Sequence, residues 1–121
     1  MFEITIHKDA LTEIKAMPEM LRAKLARQID KLAARGTDLR EPDTKPSGSG
    51  FFELRAKANE IGRAVYVYQK GRRIFILKAF VKETKKTPAA VMTAAAHRLE
   101  EMLNDEQEIS CVDDGPQRNF I

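Results

Sequence analysis

Apolar and polar residues alternate with a period of two from Phe2 to His7. That pattern predicts a half-buried strand with Phe2, Ile4 and Ile6 inward. The period then changes. Leu11, Ile14 and Met17 recur near helical spacing, with Asp9 as the expected N-cap. Pro18 ends this short helix and can open the next, because the first helical position needs no N–H donor. Leu21, Leu25, Ile29 and Leu32 form one apolar stripe on the second helix, and Gly36 stands where a C-terminal glycine belongs. The two helices make a hairpin.

Thr37 to Gly50 holds two prolines and several Ser–Gly turn signals but little apolar content, so it reads as a loop. Three strands follow: Phe51 to Arg55, Arg63 to Gln69, and Arg73 to Val81. The last is nearly continuous in apolar character, which suits burial on both faces. Lys70-Gly71-Arg72 is the tight turn of a hairpin. Thr87 as N-cap and Pro88 at the first helical position then start a final helix, with Val91, Ala95, Leu99 and Met102 on its apolar face. From Asn104 onward periodicity is lost. The order predicts an α+β fold: a mainly four-stranded antiparallel sheet packed against the N-terminal helical hairpin, then a C-terminal helix and tail. One domain over residues 1–103 and a tail over residues 104–121 are expected.

Composition narrows the class. The chain has 121 residues, 43% hydrophobic and 32% charged, as a soluble globular domain has. One cysteine permits neither an internal disulfide nor a cysteine-based zinc cluster. No apolar run is long enough to span a membrane, and the N-terminal residues lack the pattern of a secretory signal. A cytoplasmic protein without membrane contact is the simplest expectation. Charge is unevenly placed: from Lys45 to Lys86 there are eleven cations against three anions. From Glu100 to the end there are seven anions and only Arg118 as a cation. A basic middle suits a polyanion, and an acidic tail can fold back over it as a brake.

Standard catalytic motifs are missing. There is no phosphate-binding glycine loop of either common type. His7 and His97 are the only histidines and have no neighbours at metal-ligand spacing, so no metal site is expected. Ser47 and Ser49 read as linker residues. What remains is a set of cations at strand ends: Arg55, Arg63, Lys82, Lys85 and Lys86. Guanidinium forks there can hold phosphates bidentately. Tyr66 and Tyr68 share one strand face. Tyr68 could stack on bases, whereas Tyr66 is expected to pack under the last helix.

Three stretches carry a resemblance: Gly50-Phe51-Phe52-Glu53-Leu54-Arg55, Gly62-Arg63-Ala64-Val65-Tyr66, and Phe75 to Pro88 with its F-V-K-x-T-x-K-T-P string. Together they resemble the HigB-like, phage-derived branch of the RelE/ParE toxin superfamily of type II toxin–antitoxin systems. The resemblance implies a RelE-like fold and a ribosome-dependent messenger RNA endoribonuclease (an mRNA interferase that inhibits translation). The implied cleavage uses neither metal nor cofactor: the ribose 2′-OH attacks the adjacent phosphate. It makes Arg55, Arg63, Lys82 and Lys85 the candidate catalytic residues, with Arg63 holding the scissile phosphate. Lys57, Tyr68, Lys78 and Lys86 become candidate RNA contacts. It also implies three partners: a cognate antitoxin of helix-turn-helix type, the ribosome and messenger RNA. A ParE-like gyrase-binding toxin, which shares the fold, stays open as an alternative, and two departures keep an inactive partner-binding relative open. Glu53 stands where the RelE branch often has a basic residue, and its C-terminal stacking tyrosine has no counterpart.

Overall fold

In the computed structural model, residues 1–82 and 87–108 are described. Strand β1 (Glu3–Ile6) leads into helices α1 (Lys8–Lys15) and α2 (Glu19–Arg35). A single 3-10 turn (Gly36–Asp38) follows, then strands β2 (Thr44–Gly48), β3 (Phe51–Lys57), β4 (Ile61–Gln69) and β5 (Arg73–Lys82). Helix α3 (Ala89–Glu108) comes last. The sheet order is β1-β5-β4-β3-β2, with β1 parallel to β5 and every other pair antiparallel.

The sheet has a fifth strand that the sequence pattern does not disclose. The segment read as a loop contains β2, paired with β3 from Thr44↔Leu54 to Gly48↔Phe51. Ser49 and Gly50 turn the hairpin with φ of 55° and 83°, the conformation that strand twist favours in a two-residue loop. Pro46 lies within β2 because β2 is an edge strand, where a missing N–H costs no ladder bond.

α1 and α2 cover one face of the sheet. Ala10, Ile14, Leu21, Leu25 and Leu32 bury there against Leu54, Ala64, Ile74, Ile76 and Ala79. Tyr66 belongs to this face too: it packs beneath the helical hairpin, not under the last helix as expected from the sequence. α3 covers the other face, where Ala95 and Met102 meet Phe51, Val65, Val67, Phe75 and Leu77. β5 is central and buried on both sides, in accord with its continuous apolar run. It carries a β-bulge: Val65 stands opposite Lys78 and Tyr66 opposite Ile76, leaving Leu77 as the extra residue.

Two polar clusters fix the helices. His7, rather than Asp9, caps α1: its Nδ1 accepts the Asp9 N–H at 3.0 Å. With Nδ1 an acceptor, Nε2 carries the proton and donates to Glu101 of α3 at 2.9 Å. Glu13 of α1 accepts from Arg98 of α3 at 2.8 and 2.9 Å, from Lys78 at 2.7 Å and from the Ala79 N–H at 3.0 Å. Burial raises the Glu13 pKa, but these donors outweigh it and hold the carboxyl below its ordinary range. α3 runs through Glu108, beyond the loss of periodicity at Asn104. Residues 104–108 of the expected tail thus belong to α3, and residues 109–121, with Asp113 and Asp114, lie outside the described residues.

Gly36 closes α2 at φ 53°, and a Cβ there would stand 1.9 Å from the Phe2 ring. Gly48 also has positive φ (94°) but open space around it. Gly36→Ala therefore incurs backbone strain of about 1–3 kcal/mol and must displace Phe2 as well. Gly48→Ala incurs only the strain. Urea unfolding of the two variants should show Gly36→Ala as the less stable; equal midpoints would refute the Phe2 contact.

Candidate functional site

Side chains alternate along a strand, so Phe51, Glu53 and Arg55 project to the α3 face of β3. Register adds the neighbours. Lys45 stands opposite Glu53, and Arg63 stands opposite Arg55 on one side and Phe80 on the other. Lys82 lies two residues beyond Phe80 on the same face. Directly opposed residues have Cβ atoms about 4.5–5.5 Å apart. Lys45, Arg55, Arg63 and Lys82 thus crowd around Glu53, the one carboxylate of this group among the described residues.

Glu53 is 1% exposed and Arg63 is 1% exposed. Arg63 Nη1 donates to Glu53 Oε1 at 2.6 Å. Ser47 of β2 donates to Oε2 at 2.7 Å, and the Thr87 hydroxyl donates to the same oxygen. Burial raises the Glu53 pKa, but the Thr87 and Ser47 hydroxyls and the Arg63 charge outweigh it and hold the carboxyl below its ordinary value. Arg63 is pushed down by burial and by Arg55, against the pull of Glu53. Its Nε is buried without a hydrogen-bond partner among the described residues.

Lys82 is the half-exposed member of the group. Desolvation pulls its pKa down, followed by the charges of Arg63, Lys45 and Arg55; Glu53 opposes them. A lysine shifted in this direction has a larger neutral fraction and a better claim to be a base. Arg55 is also half-exposed, and its backbone is fixed from both sides. Its N–H donates to the Asp43 carbonyl at 2.8 Å, and its carbonyl accepts from Gln28 Nε2 at 2.8 Å.

The structure gathers Arg55, Arg63 and Lys82 of the expected catalytic set; Lys85 and Lys86 lie outside the described residues. Arg63 is buried and its Nη1 is paired with Glu53 inside the fold. Lys57 is exposed near the end of β3. Two expected RNA contacts lie elsewhere and are otherwise engaged. Lys78 is bound to Glu13. Tyr68 sits on the helical-hairpin face in an aromatic cluster, 5.4 Å from Phe52 and 5.9 Å from Phe2 between ring centroids. Burial and the neighbouring Tyr66 push its phenol upward.

Sequence reasoning missed Ser47, Thr87 and Lys45 as members of this group. In sequence Ser47 looks like a linker residue and Thr87 like a helix cap, whereas both hydroxyls serve Glu53. The available signal was Glu53 itself, an anion at an inward position within a strongly basic stretch. Such a residue requires donors nearby.

Removing one member of a buried pair costs about 3–5 kcal/mol, whereas replacing both by apolar residues is far milder. Arg63→Met should therefore destabilise strongly, and Glu53→Leu/Arg63→Met much less. Glu53 is depressed in the folded state, so its contribution is present above its ordinary value of 4.5 and is lost as pH falls through the folded value. In Arg63→Met that loss should begin at higher pH. Urea midpoints against pH for the three proteins would check both; additive effects of the two substitutions would contradict the pairing.

A model of the phage-derived Gp49-like protein family (DUF891) matches residues 12–100. No curated protein matches the chain. Among solved structures, it is similar to a mutant of the E. coli toxin RelE in the free state. That match has a TM-score of 0.60 and 14% identity, and covers 81% of this chain and 97% of that one. It is also similar to the RelBE2 toxin–antitoxin complex from Mycobacterium tuberculosis. There the TM-score is 0.51 and the identity 15%, over 67% of this chain and 98% of that one. At such identities the likeness speaks for the fold, while the family model spans most of the chain. The chain belongs to the phage-derived Gp49-like family and has a RelE-like α+β fold.

Proposed function

We propose that the chain is the toxin of a type II toxin–antitoxin module and cleaves messenger RNA on the ribosome. The observation that carries this reading is the packing of Lys82 beside Arg55, Arg63 and Lys45. Desolvation, and then the charges of Arg63, Lys45 and Arg55, lower its affinity for a proton on a half-exposed face. Family membership and the likeness to RelE support the same class.

The chemistry needs three services: a base for the 2′-OH, positive charge on the phosphorane, and an acid for the departing 5′ oxygen. Neutral Lys82 takes the 2′ proton as the 2′ oxygen bonds to phosphorus. The Arg55 guanidinium, with Lys45 behind it, stabilises the charge that gathers on the phosphoryl oxygens. The P–O5′ bond then breaks, leaving a 2′,3′-cyclic phosphate and a protonated 5′-OH. Lys85, outside the described residues, is our candidate for the proton delivered to O5′. Arg63 acts from inside, by holding Glu53 and by repelling the Lys82 proton. The partners of this reading are messenger RNA, the ribosome and a helix-turn-helix antitoxin. The toxin–antitoxin assembly of the structurally similar RelBE2 complex supports an antitoxin partner.

The burial of Arg63 against Glu53 favours one rival: a relative that binds a partner, gyrase among the options, without cutting RNA. Primer extension on a defined messenger RNA, with and without translating ribosomes, separates the two. Discrete ribosome-dependent cuts should fall at least about 100-fold in Lys82→Met and in Arg55→Ala, the usual scale for loss of an acid–base or charge-stabilising group. Undiminished cuts in both variants would refute the site; no cuts by the wild type would favour the rival.

The rate should rise with pH while Lys82 loses its proton, with its inflection below 10.5, the ordinary lysine value. Lys45→Ala removes a repelling charge, so the inflection should move upward. Single-turnover rates against pH, on ribosomes stable over the range, would show it; an inflection unmoved by Lys45→Ala would contradict the role of the cluster.

A further inference from the structure

The cations do not end at the α3 face. β2 stops pairing at Leu54, so Ala56 and Lys57 leave the rim of β3 open. α2 runs beside this rim, and a cleft of about 370 Å³ lies between them. Lys24 and Arg27 line it from the helix, Arg55 and Lys57 from the strand, and Pro42 and Ile61 give it apolar walls. Asp43 is the single carboxylate among the lining residues, and it is already engaged. Gln28 Nε2 lies 3.0 Å from its Oδ1 and Lys31 Nζ 3.0 Å from its Oδ2. Four cations therefore share a cleft whose one anion is taken, and an anionic ligand is the natural complement.

Arg55 belongs to both places. It lines the cleft, and in the sheet it stands opposite Arg63. A chain of phosphates lying across the rim of β3 would pass from one set of cations to the other without a break. The two arginines offer forks to phosphate oxygens, the two lysines add point charges, and the apolar walls suit a sugar or base edge. We propose that this cleft is a docking groove for the phosphodiester backbone of single-stranded RNA, continuous through Arg55 with the Lys82 cluster. The proposal rests on the RNA reading of that cluster for its continuity, but its content is binding. An acidic protein segment would match the charge but has no reason to continue to Lys82.

The test is fluorescence anisotropy with a short single-stranded RNA, 2′-O-methylated throughout so that it can bind but not be cut. Lys24 and Arg27 are exposed, so Lys24→Ala/Arg27→Ala should keep the fold, which a thermal melt would verify. The double variant should bind at least about tenfold more weakly at low salt. Its slope of log K against log salt should fall by roughly 1.4, for two phosphate contacts at about 0.7 each. Lys8→Ala/Lys15→Ala, which removes the same charge from exposed positions on α1, should change neither.

An unchanged slope in Lys24→Ala/Arg27→Ala, equal losses in both double variants, or no RNA binding by the wild type would each overturn the groove. An unchanged RNA slope with weakened antitoxin binding would hand the cleft to a protein partner. RNA binding that depends on Lys24 and Arg27, in a protein that makes no cuts, would sink the nuclease reading and leave the groove standing.

Discussion

A carboxylate taken out of water must keep every donor it has, and Glu53 imposes that condition on much of this fold. Ser47 comes from β2, Arg63 from β4 and Thr87 from the residues just before α3. If any of them leaves, a buried charge is left short of partners. The edge hairpin, the centre of the sheet and the start of the last helix are therefore tied to one another. Glu53 also lets cations gather that would otherwise repel. It neutralises Arg63 within the protein and leaves Lys45, Arg55 and Lys82 with charge to spare for a ligand.

The two faces of the sheet divide the remaining work. The helical hairpin supplies most of the apolar burial, including Tyr66, whose hydroxyl is bonded to Thr44 at 2.6 Å. α3 adds a smaller core and is held by polar contacts before its start and at its middle: Thr87 with Glu53 just before it, Arg98 with Glu13 and Glu101 with His7 further along. His7 caps α1 and Glu13 lies within it, so the element over the cation cluster is fixed by residues remote from it.

Much of the scaffold is legible in residue order because each segment keeps one period. The 3.6-residue stripe of Leu21, Leu25, Ile29 and Leu32 and the two-residue alternation of Phe2, Ile4 and Ile6 need no knowledge of partners. β2 fails that test. Thr44-Lys45-Pro46-Ser47-Gly48 has no apolar alternation because it is an edge strand, stabilised by its ladder to β3 rather than by burial. The site is legible as a set of cations but not as an arrangement. Lys78 and Lys82 look equivalent in sequence, yet one meets Glu13 and the other Arg63. Arg63 reads as a phosphate ligand until Glu53 is seen beside it. Long-range pairing decides these roles, and no local pattern reports it.

The bulge in β5 has a further meaning. Ile74 and Ile76 face the helical hairpin, and so do Ala79 and Val81. The parity of the strand is reversed once, at Leu77. Counted in unbroken steps of two from Ile74, Lys82 would fall on the hairpin side and Val81 would face Arg63. One supernumerary residue thus acts as a phase shift, and chain length, not residue identity, places the lysine among the arginines. Removing Leu77 together with the bulge would leave Lys82 on its present face, whereas a strand of the present length without the bulge would carry it to the other. For this sheet, spacing is as much a part of the site as the side chains it carries.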